Sequence, residues 1–366
     1  MLTEHFHNPR KDTGHYSNDL RYVLSLQNTI AAFEEIKTWE GYAKTPLHSL
    51  DSLASDIGVK NIYYKDESSR FGLGSFKALG GTYGVLKFIH HALKKEIGDE
   101  VSMKDIHAGK YSEQISKYTV TTATDGNHGR SVAFGAKLFG CKCQIYIHSK
   151  VSSGRQKAME ALEATVIRTI GNYDESLQIC IDDAKRNNWH VISDTSYEGY
   201  TKYPRYIMAG YNVMAEEIID QIKDRPLPTH VFLQGGVGSF PGAICGYFWE
   251  KFPGNNIKFV VVESEHAPCL IRSAQNNQMT SVSIKQETMM AGLSCGEPSL
   301  LGWEILKSGT DDFITINDSS IPGLMRLLAK NNLKIEAGES SVAGLAGLIE
   351  SMEDQKIAET MELDKE

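Results

Sequence analysis

The stretch Tyr118–Ile147, YTVTTATDGNHGRSVAFGAKLFGCKCQIYI, decides the fold class. It opens on a β-branched run, Tyr118–Thr122, with the composition of a strand. A turn rich in Asp, Gly and Asn follows, then a helical pattern over Gly129–Leu138. A second strand pattern closes the stretch at Gln144–Ile147. Strand, turn, helix and strand at this spacing read as a βαβ unit, and such units build parallel sheets. The alternation continues outward. Further strand patterns fall at Ile62–Tyr64, Val166–Ile170, His190–Ile192, His230–Gln234, Lys258–Glu263 and Phe313–Ile316. Helical patterns fall at Ser75–His91, Gly154–Leu162, Asn172–Asn187 and Tyr206–Ile222. An α/β chain is expected, with mostly parallel twisted sheets flanked by helices. Tyr118–Asp194 carries four strand–helix alternations, enough for a sheet of its own. Thr201–Gly210, with Pro204, reads as a crossover into the next unit. The opening residues read as polar up to a helical pattern at Thr29–Lys37, and Asp354–Glu366 is charged without strand character.

With 366 residues, the chain is long enough for about two domains at roughly 150 residues each. Apolar residues make up 41% and charged residues 23%, which excludes a disordered or collagen-like chain. Lys and Arg total 38 against 46 Asp and Glu, a net charge of −8. An acidic chain without a basic tract is poorly suited to nucleic acid or an anionic membrane. No apolar run reaches the roughly 18 residues of a membrane span, and the start lacks the apolar core of a signal peptide. Six cysteines are too few for a disulfide scaffold, so free thiols in a reducing cytoplasm are expected. Cys141-x-Cys143 has neither zinc nor redox spacing. Cys180 and Cys245 fall in buried-helix patterns, and Cys269 and Cys295 sit beside loops where a regulatory bond stays open. The twelve histidines form no HExxH or comparable pattern, so no catalytic metal is expected.

Three loops carry chemistry, each at a point where α/β sheets bind ligands. The first is Lys65–Gly81, KDESSRFGLGSFKALGG. It leads into a helix with Lys77 in the first turn. The positive end of the helix dipole disfavours an ammonium there, and a lysine with a lowered pKa suits Schiff-base chemistry. An isolated lysine would be a surface residue; the flanking Gly74-Ser75-Phe76 and Gly80-Gly81 argue otherwise. The second loop is Thr121–Arg130, TTATDGNHGR. Backbone amides at its helix start suit a carboxylate, and Asn127 offers a donor and an acceptor. Helix capping by Asp or Asn explains one residue of this run but not all of TDGNHG. The third is Gln234–Gly242, QGGVGSFPG, after an apolar strand. Gly235, Gly236, Val237, Gly238 and Ser239 can cradle a phosphate between strand and helix. Alone it could equally be a dinucleotide loop or a tight turn, but it is not GxxxxGKS. Without a later ribose-binding acid it fits a monophosphate better than a dinucleotide. A Schiff-base lysine, a carboxylate turn and a monophosphate cradle together describe pyridoxal 5′-phosphate with an amino acid.

At these residues the chain resembles the fold-type II pyridoxal-phosphate enzymes, the group of threonine dehydratase and tryptophan synthase β. SFK at Ser75–Lys77, GNHG at Gly126–Gly129 and GGVGS at Gly235–Ser239 resemble that group's motifs. Within it the chain looks most like the diaminopropionate ammonia-lyases. TPL at Thr45–Leu47, TATDGNHGR, DTSYEGYTKYP at Asp194–Pro204, VVES at Val261–Ser264 and MAGLSCGEPS at Met290–Ser299 carry that likeness. It runs from about residue 40 to about residue 345. It implies a large cofactor-binding domain from 1–86 with 200–366, a small domain from 87–199, and an active site in the cleft between them.

The resemblance implies roles. Lys77 would carry the cofactor, with Phe76, Asn127, Gly235, Gly236, Val237, Gly238 and Ser239 around it. Thr124, Asp125, Gly126, His128 and Asp194 would face the substrate. Asp125 stands where dehydratases usually have Ser. A carboxylate is unsuited to expelling hydroxide but can hold an ammonium or take a proton. With Asp194 it makes two acids near one amino acid, which points to a substrate with an extra amine. The implied reaction is elimination of both amines of 2,3-diaminopropionate to give pyruvate and two ammonia. Lys77 and Asp125 would take the Cα proton from opposite faces, with Lys77, Asp125 and Asp194 as the catalytic set. The family resemblance also implies a homodimer. EAGESS at Glu336–Ser341 resembles a segment near the cofactor ring. The family then usually adds a strand whose Ser or Thr meets the pyridine nitrogen, but after Ile349 the sequence SMEDQKIAETMELDKE offers none. The alternatives are a serine or threonine dehydratase of the same fold and a non-catalytic relative lacking that strand.

Overall fold

The computed structural model describes residues 1–124, 126–171, 173–330 and 334–363. Its strands are β1 (Leu2–His7), β2 (Leu47–Ser49), β3 (Tyr63–Lys65), β4 (Thr119–Ala123), β5 (Lys142–Ile147), β6 (Thr165–Arg168), β7 (His190–Val191), β8 (His230–Gln234), β9 (Lys258–Ser264) and β10 (Asp312–Ile316). They form a four-stranded sheet in the order β6-β5-β4-β7, a second in the order β1-β10-β9-β8, and the hairpin β2-β3. Every pairing in the first sheet is parallel. In the second only β1 runs antiparallel, against β10. The expected α/β class with mostly parallel sheets is therefore the observed one.

The helices that build the site are α1 (Lys77–Ile97), α2 (Asn127–Phe139), α3 (Lys202–Tyr211), α4 (Val213–Gln221), α5 (Ser239–Lys251), α6 (Cys269–Asn276), α7 (Leu300–Gly309), α8 (Ala343–Glu353) and α9 (Gln355–Met361). Small residues let α1, α2 and α3 approach closely. A Cβ on Gly135 of α2 would lie 3.0 Å from Thr82 Cα of α1. A Cβ on Gly210 of α3 would lie 2.8 Å from Leu79 O of α1. These contacts fix the helix that begins at Lys77. A chain-long core cluster packs around them, including Leu79, Leu86, Ile145, Ile207, Phe248 and Phe259.

Several expectations need correction. The start is not merely polar: Leu2–His7 is an edge strand that pairs with β10. Its half-exposed residues give a weak sequence signal, and its partner lies some 300 residues away, with Phe6 opposite Phe313. Thr201–Gly210 is not a bare crossover: Thr201 is the N-cap of helix α3 and residues 202–210 lie within it. Pro204 sits in that helix's first turn, where an amide would have no partner in any case. As expected, the segment from Asp354 has no strand among the described residues; it holds helix α9, capped by the Asp354 side chain. Among the described residues no strand follows α8. No disulfide joins any of the six cysteines, Cys269 and Cys295 included. No described helix is long and apolar enough to cross a membrane.

Candidate active site

Lys77 is the first residue of α1, and the loop before it is held from behind by a buried ion network. Arg70 is 1% exposed and Glu217 of α4 is fully buried. Arg70 donates to both Glu217 oxygens at 2.9 and 2.8 Å. It also donates to both Glu67 oxygens at 2.8 and 2.9 Å. Lys65 donates to Glu217 at 2.7 Å. Burial alone would push the Glu217 carboxyl up, but Arg70 and Lys65 outweigh it and hold the carboxyl below its usual range.

From this support Lys77 reaches Asp194, and the two form an ion pair. Tyr211 donates to the same Asp194 oxygen at 3.4 Å. His128 Nδ1 lies 3.8 Å from it. His128 Nε2 faces Ile192 O at 2.8 Å and must donate to it. Burial lowers the His128 pKa, so the ring is neutral and its Nδ1 is an acceptor with no hydrogen-bond partner among the described residues. Burial also acts to lower the pKa of Lys77, but the Asp194 carboxylate outweighs it and the net shift is upward. The lowered lysine pKa expected from the helix dipole is therefore reversed in this structure. Asp194 shows the converse: burial acts upward, Lys77 prevails, and the carboxyl is held below its usual range.

The second loop enters α2. Thr124 Oγ1 accepts from the amides of Gly126 at 3.1 Å and Gly129 at 3.2 Å. Thr124 thus supplies a cap at the start of α2. Asn127 is the first residue of α2, and it lines the site cavity with Thr124, Gly126 and His128. Asp125 lies outside the described residues.

The third loop joins β8 to α5. Gly236 at φ +62° and Gly238 at φ +97° occupy the left-handed region that favours glycine. The turn gathers main-chain amides at the start of the 13-residue α5, the arrangement that binds phosphate. Gly235, Gly236, Val237 and Ser239 line the cavity, whereas Gly238 faces Leu270 and Leu306 beneath it. A Cβ on Gly302 of α7 would lie 2.5 Å from Gly238 O, so α7 braces the turn through its main chain. Ser239 Oγ donates to Asp194 O at 2.6 Å and ties cradle to acid. Under Gly235 lies Glu263, whose carboxyl accepts from the amides of Leu270 and Ile271 at 2.8 and 2.7 Å. Burial pushes this carboxyl up to about 8.

Phe76 packs edge-on against Tyr211, with ring centroids 5.0 Å apart, and against Phe240 at 4.6 Å. The structure thus gathers Lys77, Phe76, Thr124, Gly126, Asn127, His128, Asp194 and the glycine turn around one cavity of about 1180 Å³. Tyr211 and the Arg70–Glu217 network were missed by sequence reading. Arg70 meets Glu217, and Lys77 meets Tyr211, across more than 130 residues of sequence, and no local motif signals them. The site fits pyridoxal 5′-phosphate: an amide cradle for one phosphate, an amine at Lys77, and an open buried acceptor at His128.

The chain belongs to the pyridoxal-phosphate dependent enzyme family, matched over residues 38–361. Within that family it is similar to diaminopropionate ammonia-lyases. It is 39% identical to that of Escherichia coli K12 over 312 residues, covering 84% of this chain and 77% of the relative. Its identity to that of Salmonella typhimurium LT2 is 37% over 356 residues, covering 93% and 88%. The crystal structure of the Escherichia coli enzyme in complex with D-serine superimposes with a TM-score of 0.87 at 34% identity, covering all of this chain and 92% of that one.

Proposed function

We propose that this protein is a diaminopropionate ammonia-lyase that converts 2,3-diaminopropionate and water to pyruvate and two ammonia. One observation carries the reading: a half-buried lysine paired with Asp194 lies between an asparagine turn and a glycine cradle, in a chain 39% identical to a lyase of that name. When bound, pyridoxal 5′-phosphate supplies the aldehyde for a Schiff base and a ring that acidifies the substrate Cα–H. Lys77 Nζ holds the cofactor and moves the Cα proton on one face; the Asp125 carboxylate takes it on the other. Asn127 orients the ring, and the amides of the turn Gly235–Ser239 bind the phosphate. The rings of Phe76 and Tyr211 exclude water around Nζ. Thr124, Gly126 and His128 face the substrate carboxylate side.

Asp194 gives the substrate class its physical basis. It is a largely enclosed carboxylate that favours a cation, and Lys77 is that cation here. A diamino acid brings a second ammonium able to take Lys77's place, and a lysine released from its carboxylate loses its proton more readily. Serine and threonine bring no such charge. The reading includes a large part, 1–86 with 200–366, a small part, 87–199, and an active cleft between them; two separate four-stranded sheets support that division. A cytoplasmic homodimer completes the reading, in keeping with six free thiols.

The test is pyruvate release by the cofactor-loaded protein with D- and L-2,3-diaminopropionate, serine and threonine supplied separately. Release from diaminopropionate alone supports the lyase; release mainly from serine or threonine makes the protein a dehydratase. Lys77→Ala is expected to lose both turnover and Schiff-base absorbance, and full activity in that variant would refute the assignment of Lys77.

A further inference from the structure

Four side chains gather around the Lys77 amine, and their chemistry is that of a cage for a nitrogen cation. Asp194 supplies one carboxylate, with 15% of its side chain exposed. The rings of Phe76 and Tyr211 each stand 5.8 Å from Lys77 Nζ, within the roughly 6 Å at which an aromatic face attracts a cation. Tyr211 is wholly buried. Gly80, one turn after Lys77 on α1, makes room for its ring: a Cβ there would lie 2.4 Å from Tyr211 Cε1. Burial keeps the phenol protonated, so its hydroxyl donates to Asp194 while its oxygen can still accept from a cation. His128 is the fourth member, 7% exposed, with Nδ1 3.8 Å from the same Asp194 oxygen. Among the described residues no group of His, Cys, Asp and Glu suits a metal ion.

Lys77 does not use the whole cage. Its ammonium pairs with Asp194 but leaves His128 Nδ1 without a hydrogen bond among the described residues. That nitrogen is an acceptor, because Nε2 donates to Ile192 O. Two acceptors 3.8 Å apart have no donor between them. One ion bearing N–H groups can bridge them, with a hydrogen bond of about 2.9 Å to each. The lysine has three N–H groups on a tethered stem; an ammonium ion has four and no tether. An alkali cation fits poorly, since such ions replace their hydration shell with rings of oxygens, and the cage offers one carboxylate, one phenol and one imidazole nitrogen. When an aldehyde draws Lys77 Nζ away, Asp194 is left as an enclosed carboxylate beside a second acceptor, which costs free energy until a cation enters.

We infer that Asp194, His128, Phe76 and Tyr211 form a binding site for the free ammonium ion, which enters when the cofactor engages Lys77 and competes there with the second ammonium of the substrate. The regulatory consequence rests on the lyase reading, in which ammonia is a product: the enzyme slows as its own product accumulates. The binding itself does not rest on that reading, because the cage is made of groups this chain places together whatever the substrate. Selectivity for ammonium comes from directional N–H donation to Asp194 and His128 together.

The experiment compares ammonium, potassium and sodium chlorides at one total salt concentration and neutral pH. With the cofactor-loaded protein, ammonium is expected to change the Schiff-base absorbance saturably, at a concentration at least ten-fold below that at which potassium or sodium acts. With cofactor-free Lys77→Ala, which opens the cage, ammonium is expected to raise the melting temperature and the other two ions are not. Lys77→Ala/Asp194→Asn, which removes both charges together and so leaves neither unpaired, is expected to lose that response. During turnover, ammonium at ten times its Kd is expected to raise the KM for diaminopropionate about ten-fold with kcat unchanged. Equal responses to the three cations, no ammonium response in the loaded protein, or a Lys77→Ala response that survives Asp194→Asn overturns the site. Pyruvate release from diaminopropionate without an ammonium response refutes the site and leaves the lyase reading standing. A selective ammonium response in a protein that releases pyruvate only from serine supports the site and refutes the lyase.

Discussion

Glu217→Ala tests how the reactive lysine is held. The substitution removes the shared carboxylate of Arg70 and Lys65, and both cations are almost wholly withdrawn from solvent, at 1% and 9% side-chain exposure. Breaking a buried pair by removing one partner costs about 3–5 kcal/mol, because a charge is left uncompensated. Glu67 still answers Arg70 through two hydrogen bonds, so the lower end, about 3 kcal/mol, applies. The unfolding entropy is roughly 2.1 cal/mol/K per residue, or about 0.8 kcal/mol/K over the chain, so the melting temperature should fall by about 4 °C. Asp220→Ala, on the same helix, is the control. Its pair with Lys44 is about half exposed on both sides, a surface ion pair that contributes little, and the melt should barely move. Differential scanning calorimetry of the cofactor-free protein reads both. The same variant loosens the loop that leads into Lys77, so its cofactor affinity should fall about ten-fold by absorbance titration, a loss of roughly 1.4 kcal/mol. If Glu217→Ala melts within 1 °C of the parent, the network does not hold this loop and the argument fails.

Three further outcomes are expected. Asp125→Asn should damage turnover of one enantiomer of diaminopropionate selectively, and equal loss with both would remove the two-base reading. The Glu263 carboxyl is protonated in the fold up to about pH 8 but ionises near 4.5 when unfolded; stability should therefore fall as pH rises through that window, by up to about 1.4 kcal/mol per unit. Glu263→Gln should flatten that slope in denaturant titrations at pH 5 to 8, and an unchanged slope would assign it to another group. Gly302→Ala puts a methyl against Gly238 O and should displace the cradle's main chain, raising the cofactor Kd at least ten-fold; unchanged affinity would show that α7 does not brace the turn.

The sequence exposed whatever depends on local pattern. The β-branched runs of β4, β5 and β9 lie in sheet interiors, where apolar content is nearly continuous and strands are easily read. SFK, TDGNHG and GGVGS each sit at a strand-to-helix turn, where small residues and helix starts impose a recognisable spelling. Leu2–His7 escaped because an edge strand with polar side chains alternates weakly, and its identity as a strand depends on β10. Pro204 misled because proline usually breaks helices, yet it costs little in a first turn. Thr124 was read as facing substrate, but its hydroxyl caps α2 through Gly126 and Gly129; one short side chain can line a cavity and hold a helix start together.

Lys77 shows most clearly why local reading fails at a site built from distant segments. Its place at the start of α1 is legible, and a helix dipole there works against an ammonium by about 0.3–1 kcal/mol, or about 2 kcal/mol when partly buried. A carboxylate in contact with that ammonium favours it by on the order of 4 kcal/mol at an effective dielectric of about 20. The larger effect decides the sign, and Asp194 stands 117 residues away in sequence. The pairing forms because α3 carries Tyr211 against the same oxygen, while Ser239 holds the main chain of Asp194 against the start of α5. The lysine's resting charge is thus set by the assembly of two sheets and three helices. It follows that a ligand acting on Asp194 acts on Lys77, and that the group most able to do so is a second cation on the substrate.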